Sequence, residues 1–160
     1  MNESHEFLRH ILATIAYRTS KAVRGAPAEF PGFRASPGSR TPAEILAHMG
    51  DLMDWGLTMS RGKAVWNDSK PLEWNDEIER FFSALTSWDE FLSMGSPLAT
   101  AWEKIFQGSM SDALTHVGQI TFLRRIAGAP IRGESYNQAP IRIGQTAFEQ
   151  PPATAGSEFD

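Results

Sequence analysis

Asp112 and His116 stand four residues apart in the segment 108–128, GSMSDALTHVGQITFLRRIAG. On an α-helix that spacing puts both side chains on one face, about 6 Å apart and near enough to share one ion. Ile120, Leu123 and Ala127 continue the same stripe, so the face is one that turns inward. An unpartnered carboxylate there costs several kcal/mol. Either the stripe opens into a wet pocket at its N-terminal end, or a cation sits there, and a metal ion is the economical cation. A second ligand-type residue, His48, lies on an equivalent stripe with Ile45, Leu52, Trp55 and Met59, and Met49 beside them. Two neutral imidazoles and one carboxylate suit Zn²⁺, Ni²⁺, Fe²⁺ or Mn²⁺ without choosing among them. Three protein ligands leave positions open for water or substrate, as in a catalytic rather than a structural site.

Each residue also has an ordinary explanation. A single histidine on an apolar stripe is more often a hydrogen-bonded core residue than a ligand. An acid in the first turn of a helix is favoured by the macrodipole and needs no metal. From spacing alone, this helix-start explanation serves Asp112 at least as well as a ligand role.

Four amphipathic segments must position these side chains. Residues 3–23 carry the stripe Phe7, Leu8, Ile11, Leu12, Ile15 and Thr19, with His5 and His10 off its centre as solvated or half-buried histidines. Residues 24–40 hold three prolines and three glycines and read as a long loop, anchored by Phe30 and Phe33. Thr41-Pro42-Ala43-Glu44 has an N-cap, a proline at N1 and a glutamate at N3, so a second helix starts there and runs to about Arg61. After the connection 62–75, Asn75 or Asp76 caps a third helix to about Met94, striped by Ile78, Phe81, Phe82, Leu85, Trp88 and Leu92. Pro97 behind Ser96 starts a short helix to about 106. Gln107-Gly108-Ser109 interrupts it, and Ser109 or Ser111 caps the last long helix, which Gly128 and Pro130 end. Residues 129–150 read as an extended segment over the helices, and 151–160 as a surface tail. The fold class is all-α, a four-helix bundle with an extra short helix, forming a single domain over 1–150.

Bulk properties exclude several functions. The chain has 160 residues, a net charge of −4 and no Lys/Arg cluster beyond Arg124–Arg125, which argues against nucleic acid or an anionic membrane as partner. There are no cysteines, so disulfides, thiolate nucleophiles and cysteine-ligated metals are ruled out, and a cytoplasmic location is expected. The polar start MNESHEFLRH predicts no signal peptide, and no segment has the ~20 apolar residues of a membrane span.

The segments AEILAHMGDLMDW and DALTHVGQITFLRRIAG, in this order, resemble the DinB-like superfamily of damage-inducible and YfiT-type metal-binding four-helix bundles. The resemblance extends from the first helix to about residue 128. That family takes one histidine from its second helix, where His48 stands, and two from its last as H-x-x-x-H, often followed by G-Q. His116-Val117-Gly118-Gln119 matches the second of these; Asp112 stands where the first histidine is usual. The departure converts a three-histidine set into two histidines and a carboxylate, with consequences for metal preference or affinity.

The resemblance implies an up-down-down-up bundle, crossed by 24–40 or 62–75. It also implies a metal-dependent reaction on a small molecule. This is either thiol-dependent transfer or isomerisation with a cosubstrate such as mycothiol or bacillithiol, or hydrolysis. The nucleophile is a metal-bound water or the cosubstrate thiol, its pKa lowered by the ion. Pocket walls are expected at Trp55, Trp102, Phe106, Gln107 and Gln119, although Trp55 suits packing better. Of Arg124 and Arg125, one is expected to complement the helix C-terminus. The other, with Arg124 as the catalytic candidate, is expected to bind Glu134 or a substrate carboxylate. Asp51 reads as a solvated acid rather than an acceptor for His48. Such bundles often pair, and 129–150 or the Trp-rich 62–75 offers a homodimer interface. The competing function is a non-catalytic small-molecule-binding or stress-response bundle with a degenerate metal site. A third reading is a structural bundle with core histidines.

Overall fold

Four long helices supply most of the buried apolar surface in the computed structural model, which describes residues 3–160. They are α1 (Glu3–Val23), α2 (Pro42–Ser60), α3 (Trp74–Ser93) and α5 (Ser111–Ile126); a short α4 (Trp102–Ile105) runs into α5 through a π-helical turn, Phe106–Met110. The chain is thus mostly helical. α2 packs on α3, on α5 and on the π turn, and α1 packs on α3 and α5.

The α2 start is built from local chemistry. The Thr41 hydroxyl accepts from the Glu44 amide at 3.1 Å, and Glu44 accepts from the Thr41 amide at 2.7 Å, which satisfies two donors that a helix start leaves unpaired. The stripes then meet in one core. Leu8, Leu12, Ile15, Leu46, Met49, Met53, Phe81, Leu85 and Trp88 are all fully buried, each contributing ~1.5–3 kcal/mol of transfer free energy. Trp88 fits because residue 56 is glycine: a Cβ there would lie 2.1 Å from the indole ring. The Trp88 N–H donates to Ser60 Oγ at 3.1 Å, and that hydroxyl donates to the Gly56 carbonyl at 2.7 Å.

Several boundaries differ from the sequence expectation. α3 begins at Trp74 with Glu73 at its N-cap and no side-chain cap, so neither Asn75 nor Asp76 caps it; Glu77 reaches back to accept from the Leu72 amide instead. Helix does not start at Pro97. The Ala99 amide donates to the Ser60 carbonyl and the Thr100 hydroxyl to that of Met59, so this stretch serves the end of α2. A 3-10 turn, Phe30–Gly32, lies within the first loop and buries Phe30 in the core.

His5 is buried rather than solvated or half-buried, and its Nε2 donates to the Ser96 carbonyl. Phe7 is 43% exposed, and packs edge-on against Trp102 and Phe106.

No break occurs at 107–109. Met110 and Ser111 keep helical dihedrals, and the Ser111 amide donates to the Phe106 carbonyl five residues back. Neither Ser109 nor Ser111 caps a helix; the Ser109 hydroxyl donates to the Leu52 carbonyl at 2.6 Å. The C-terminal residues are tied down more firmly than a surface tail. Strand β1 (Gly133–Glu134) pairs antiparallel with β2 (Glu158–Phe159), and Ser157 is buried. Among the described residues no helix is long and apolar enough to cross a membrane.

Candidate metal centre

α2 and α5 lie side by side and bring His48, Asp112 and His116 together, with one ligand atom from each within 4.8 Å of the others. His48 Nε2 is 3.4 Å from Asp112 Oδ2, and the two imidazole centroids are 4.7 Å apart. His116 Nδ1 lies 2.7 Å from the main-chain carbonyl of Asp112 and 3.3 Å from its Oδ1. A carbonyl only accepts, so Nδ1 carries the proton and donates, leaving the His116 Nε2 lone pair free. Side-chain exposure rises from 9% at His116 through 21% at His48 to 43% at Asp112. The cluster is therefore rooted in the core and open at its carboxylate.

Burial holds the His48 pKa below the usual imidazole range, and the neighbouring His116 ring and Arg40 act in the same direction. The hydrogen-bonding contact with Asp112 opposes them without prevailing. His48 is then neutral at neutral pH, the state in which an imidazole ligates.

Asp112 is not at a free helix end, because the helical run begins ten residues upstream at Trp102 and continues through the π turn. The macrodipole explanation that its sequence position allowed loses its physical basis here, since the effect is confined to the first turn.

Asp51, one turn beyond His48, is 2% exposed and not a solvated acid. It accepts from the Ser69 amide and hydroxyl at 2.8 and 2.7 Å and from Arg80 at 3.1 Å; Arg80 also donates to Glu77 at 2.7 Å. This anchoring holds the 62–73 connection against α2 and delivers Trp66, whose ring stands edge-on to His48 at 5.4 Å and to Trp55 at 5.9 Å. Trp55 in turn lies over Gly108 of the π turn, where a Cβ would meet its ring at 3.3 Å.

Two cavities flank the histidines. One, of about 340 Å³, is lined by His48, Arg34, Glu44, Asp51, Asp68 and Arg40. The other, of about 400 Å³, is lined by His116, Gln119, Ile45, Phe122, Leu123 and Arg40. Of the expected pocket walls, Gln119 lines the second cavity and Trp55 reaches His48 through Trp66. Trp102 and Phe106 lie on Phe7 of α1, and with Gln107 they line neither cavity. The physical reason is the π turn. One extra residue in a turn offsets the helix register by about 100°, so Trp102, before the turn, is rotated off the Asp112–His116 face, and Phe106 and Gln107 lie within the turn itself.

Arg124 has a structural role in place of a catalytic one. It is 5% exposed, and its guanidinium donates to the carbonyls of Ala129, Ala22, Arg24 and Gly25. Glu134 pairs with neither Arg124 nor Arg125; it accepts from Tyr17 at 2.7 Å and from Lys21 at 2.6 Å. Trp66, Arg40 and Phe122 were missed as site residues. The signal available for Trp66 was a tryptophan in a polar connection, and for Arg40 its position directly before a strong helix start.

Comparison of the chain with known protein families, with curated proteins and with solved structures finds no match.

Proposed function

We propose that His48, Asp112 and His116 hold a divalent transition-metal ion, and that the chain is a small-molecule enzyme of the DinB-like kind, a four-helix bundle formed by α1, α2, α3 and α5. The observation that carries this reading is the meeting of three ligand atoms from two helices within 4.8 Å. Two ligands held ~2.1 Å from a tetrahedral ion are about 3.4 Å apart, which is the separation of His48 Nε2 from Asp112 Oδ2. As a direct hydrogen bond that distance is long, since N–H···O bonds cluster near ~2.9 Å. The groups thus face a common point better than they satisfy one another. The bond from His116 Nδ1 to the Asp112 carbonyl fixes the ring and tautomer, the usual support of a ligating histidine.

A divalent ion held there lowers the pKa of a coordinated water or thiol and so supplies a nucleophile at neutral pH. The chain has no cysteine, so a sulfur nucleophile is a cosubstrate, and the reaction is thiol-dependent transfer or isomerisation, or hydrolysis. His48 and His116 orient the centre, Asp112 offsets its charge at the open side, and the Trp66–Trp55 pair limits water at His48.

The test is elemental analysis of untagged protein and of the variants His48→Ala and His116→Ala. Near-stoichiometric metal in the parent and loss of most of it in both variants is expected; unchanged metal in both sinks the site. A second reading, a non-catalytic binder with a weak metal site, draws on the 43% exposure of Asp112. It expects metal to be lost on mild dialysis, and Asp112→Asn to retain ligand affinity.

A further inference from the structure

We infer that the cavity beside His116 takes a small carboxylic acid with an apolar body, and that Arg40 holds its carboxylate. The inference deepens the metal-enzyme reading by naming the substrate class of the same site.

The cavity has the make-up of a ligand site: apolar walls with few convergent polar groups. Ile45, Phe122 and Leu123 form the walls, while Arg40, Gln119 and His116 are polar. Its volume, about 400 Å³, suits a molecule the size of an aryl or short alkyl acid. Phe122 is 60% exposed, a large apolar surface left open to water on this wall. The cavity beside His48 is different in kind: Glu44, Asp51 and Asp68 line it, and their carboxylates disfavour an anion there.

Arg40 differs from the arginines around it. Arg34 is paired with Glu44 and donates to the Ser39 carbonyl; Arg80 is paired with Asp51 and Glu77; Arg124 is spent on four carbonyls. Among the described residues Arg40 has no hydrogen-bond or ion-pair partner, and it lines both cavities. Its main chain directly precedes the capping box of α2, which fixes where the side chain starts. The positive end of the α2 dipole adds to its field. A guanidinium fork matches a carboxylate in a planar, two-bonded pairing. The acid therefore lies with its apolar part on Phe122 and Leu123 and its charge toward Arg40, adjacent to the imidazoles.

Metal content is measured first, in the parent and in Arg40→Gln, followed by calorimetric titration of both with benzoate and with benzyl alcohol. The expected result is equal metal in the two proteins, benzoate binding to the parent, binding about tenfold or more weaker to Arg40→Gln, and partial recovery in Arg40→Lys. Benzyl alcohol should bind the parent more weakly than benzoate. Equal benzoate affinity in the parent and Arg40→Gln overturns the inference, as does a parent that prefers the alcohol or binds neither. If the parent holds no metal yet binds benzoate through Arg40, the metal reading fails and the carboxylate site stands.

Discussion

His48 and Asp51 are three residues apart on α2, yet the structure treats them oppositely. Asp51 is 2% exposed, and both its oxygens have donors at 2.7–3.1 Å. Its partner Arg80 also answers Glu77, which is fully buried. This network is complete: the two carboxylates share one guanidinium, and each of their oxygens has a donor within the chain. The centre around His48 is incomplete. His48 Nε2 meets Asp112 Oδ2 only at 3.4 Å, that carboxylate is open to water, and among the described residues Arg40 at the rim has no hydrogen-bond or ion-pair partner. Completed polar networks hold a fold in one arrangement, whereas an unfinished set of donors and acceptors is material for an outside partner.

The largest effect is expected from breaking the completed network. Arg80→Met leaves Asp51 and Glu77 buried without a counter-charge and should cost about 3–5 kcal/mol in urea unfolding. The protein that still folds should keep its metal. Next comes saturation of the unfinished centre. Metal at a hundred times its dissociation constant should add about 2.7 kcal/mol of stability to the parent. The same metal should add almost nothing to His48→Ala or His116→Ala, as read by thermal melts. Gly56→Ala, which touches neither region, forces a methyl group into the Trp88 ring and should cost about 1–3 kcal/mol with metal content unchanged.

The smallest effect lies at the entrance. Glu44 is held below the ordinary carboxylate pKa by the Thr41 amide and then by Arg34. Its contribution is therefore present above that ordinary value and lost as pH falls through the folded-state value. Glu44→Gln should cost under about 1 kcal/mol at pH 7, and the gap to the parent should close on acidification below pH 4.5. A gap that widens in acid would show that the box is not held by the ionised carboxylate.

What the sequence made legible was what neighbouring residues decide. Thr41-Pro42-Glu44 announced α2 because capping involves residues three apart. The inward stripes of α2 and α5 singled out His48, Asp112 and His116, because a helical period is a local property. The partner of Asp51 was hidden, since Arg80 lies on another helix and no spacing rule connects them. Arg124 was misread for the same reason: three of its four acceptor carbonyls belong to the 22–25 segment, about a hundred residues earlier. Trp102 and Phe106 were expected at the pocket but lie on Phe7, because 106–110 continues the helical run as a π turn where the sequence suggested an interruption.

That wide turn makes the site depend on chain length as well as on side-chain type. Phe106–Met110 sets the rotational phase between α4 and α5. Removing one residue there, with no ligand changed, would turn one segment relative to the other by about 100°. Either the Phe7–Trp102 contact or the approach of Asp112 and His116 to His48 would then be lost. A single-codon deletion in this turn would leave His48, Asp112 and His116 in the gene and still separate them or strip the Phe7–Trp102 contact.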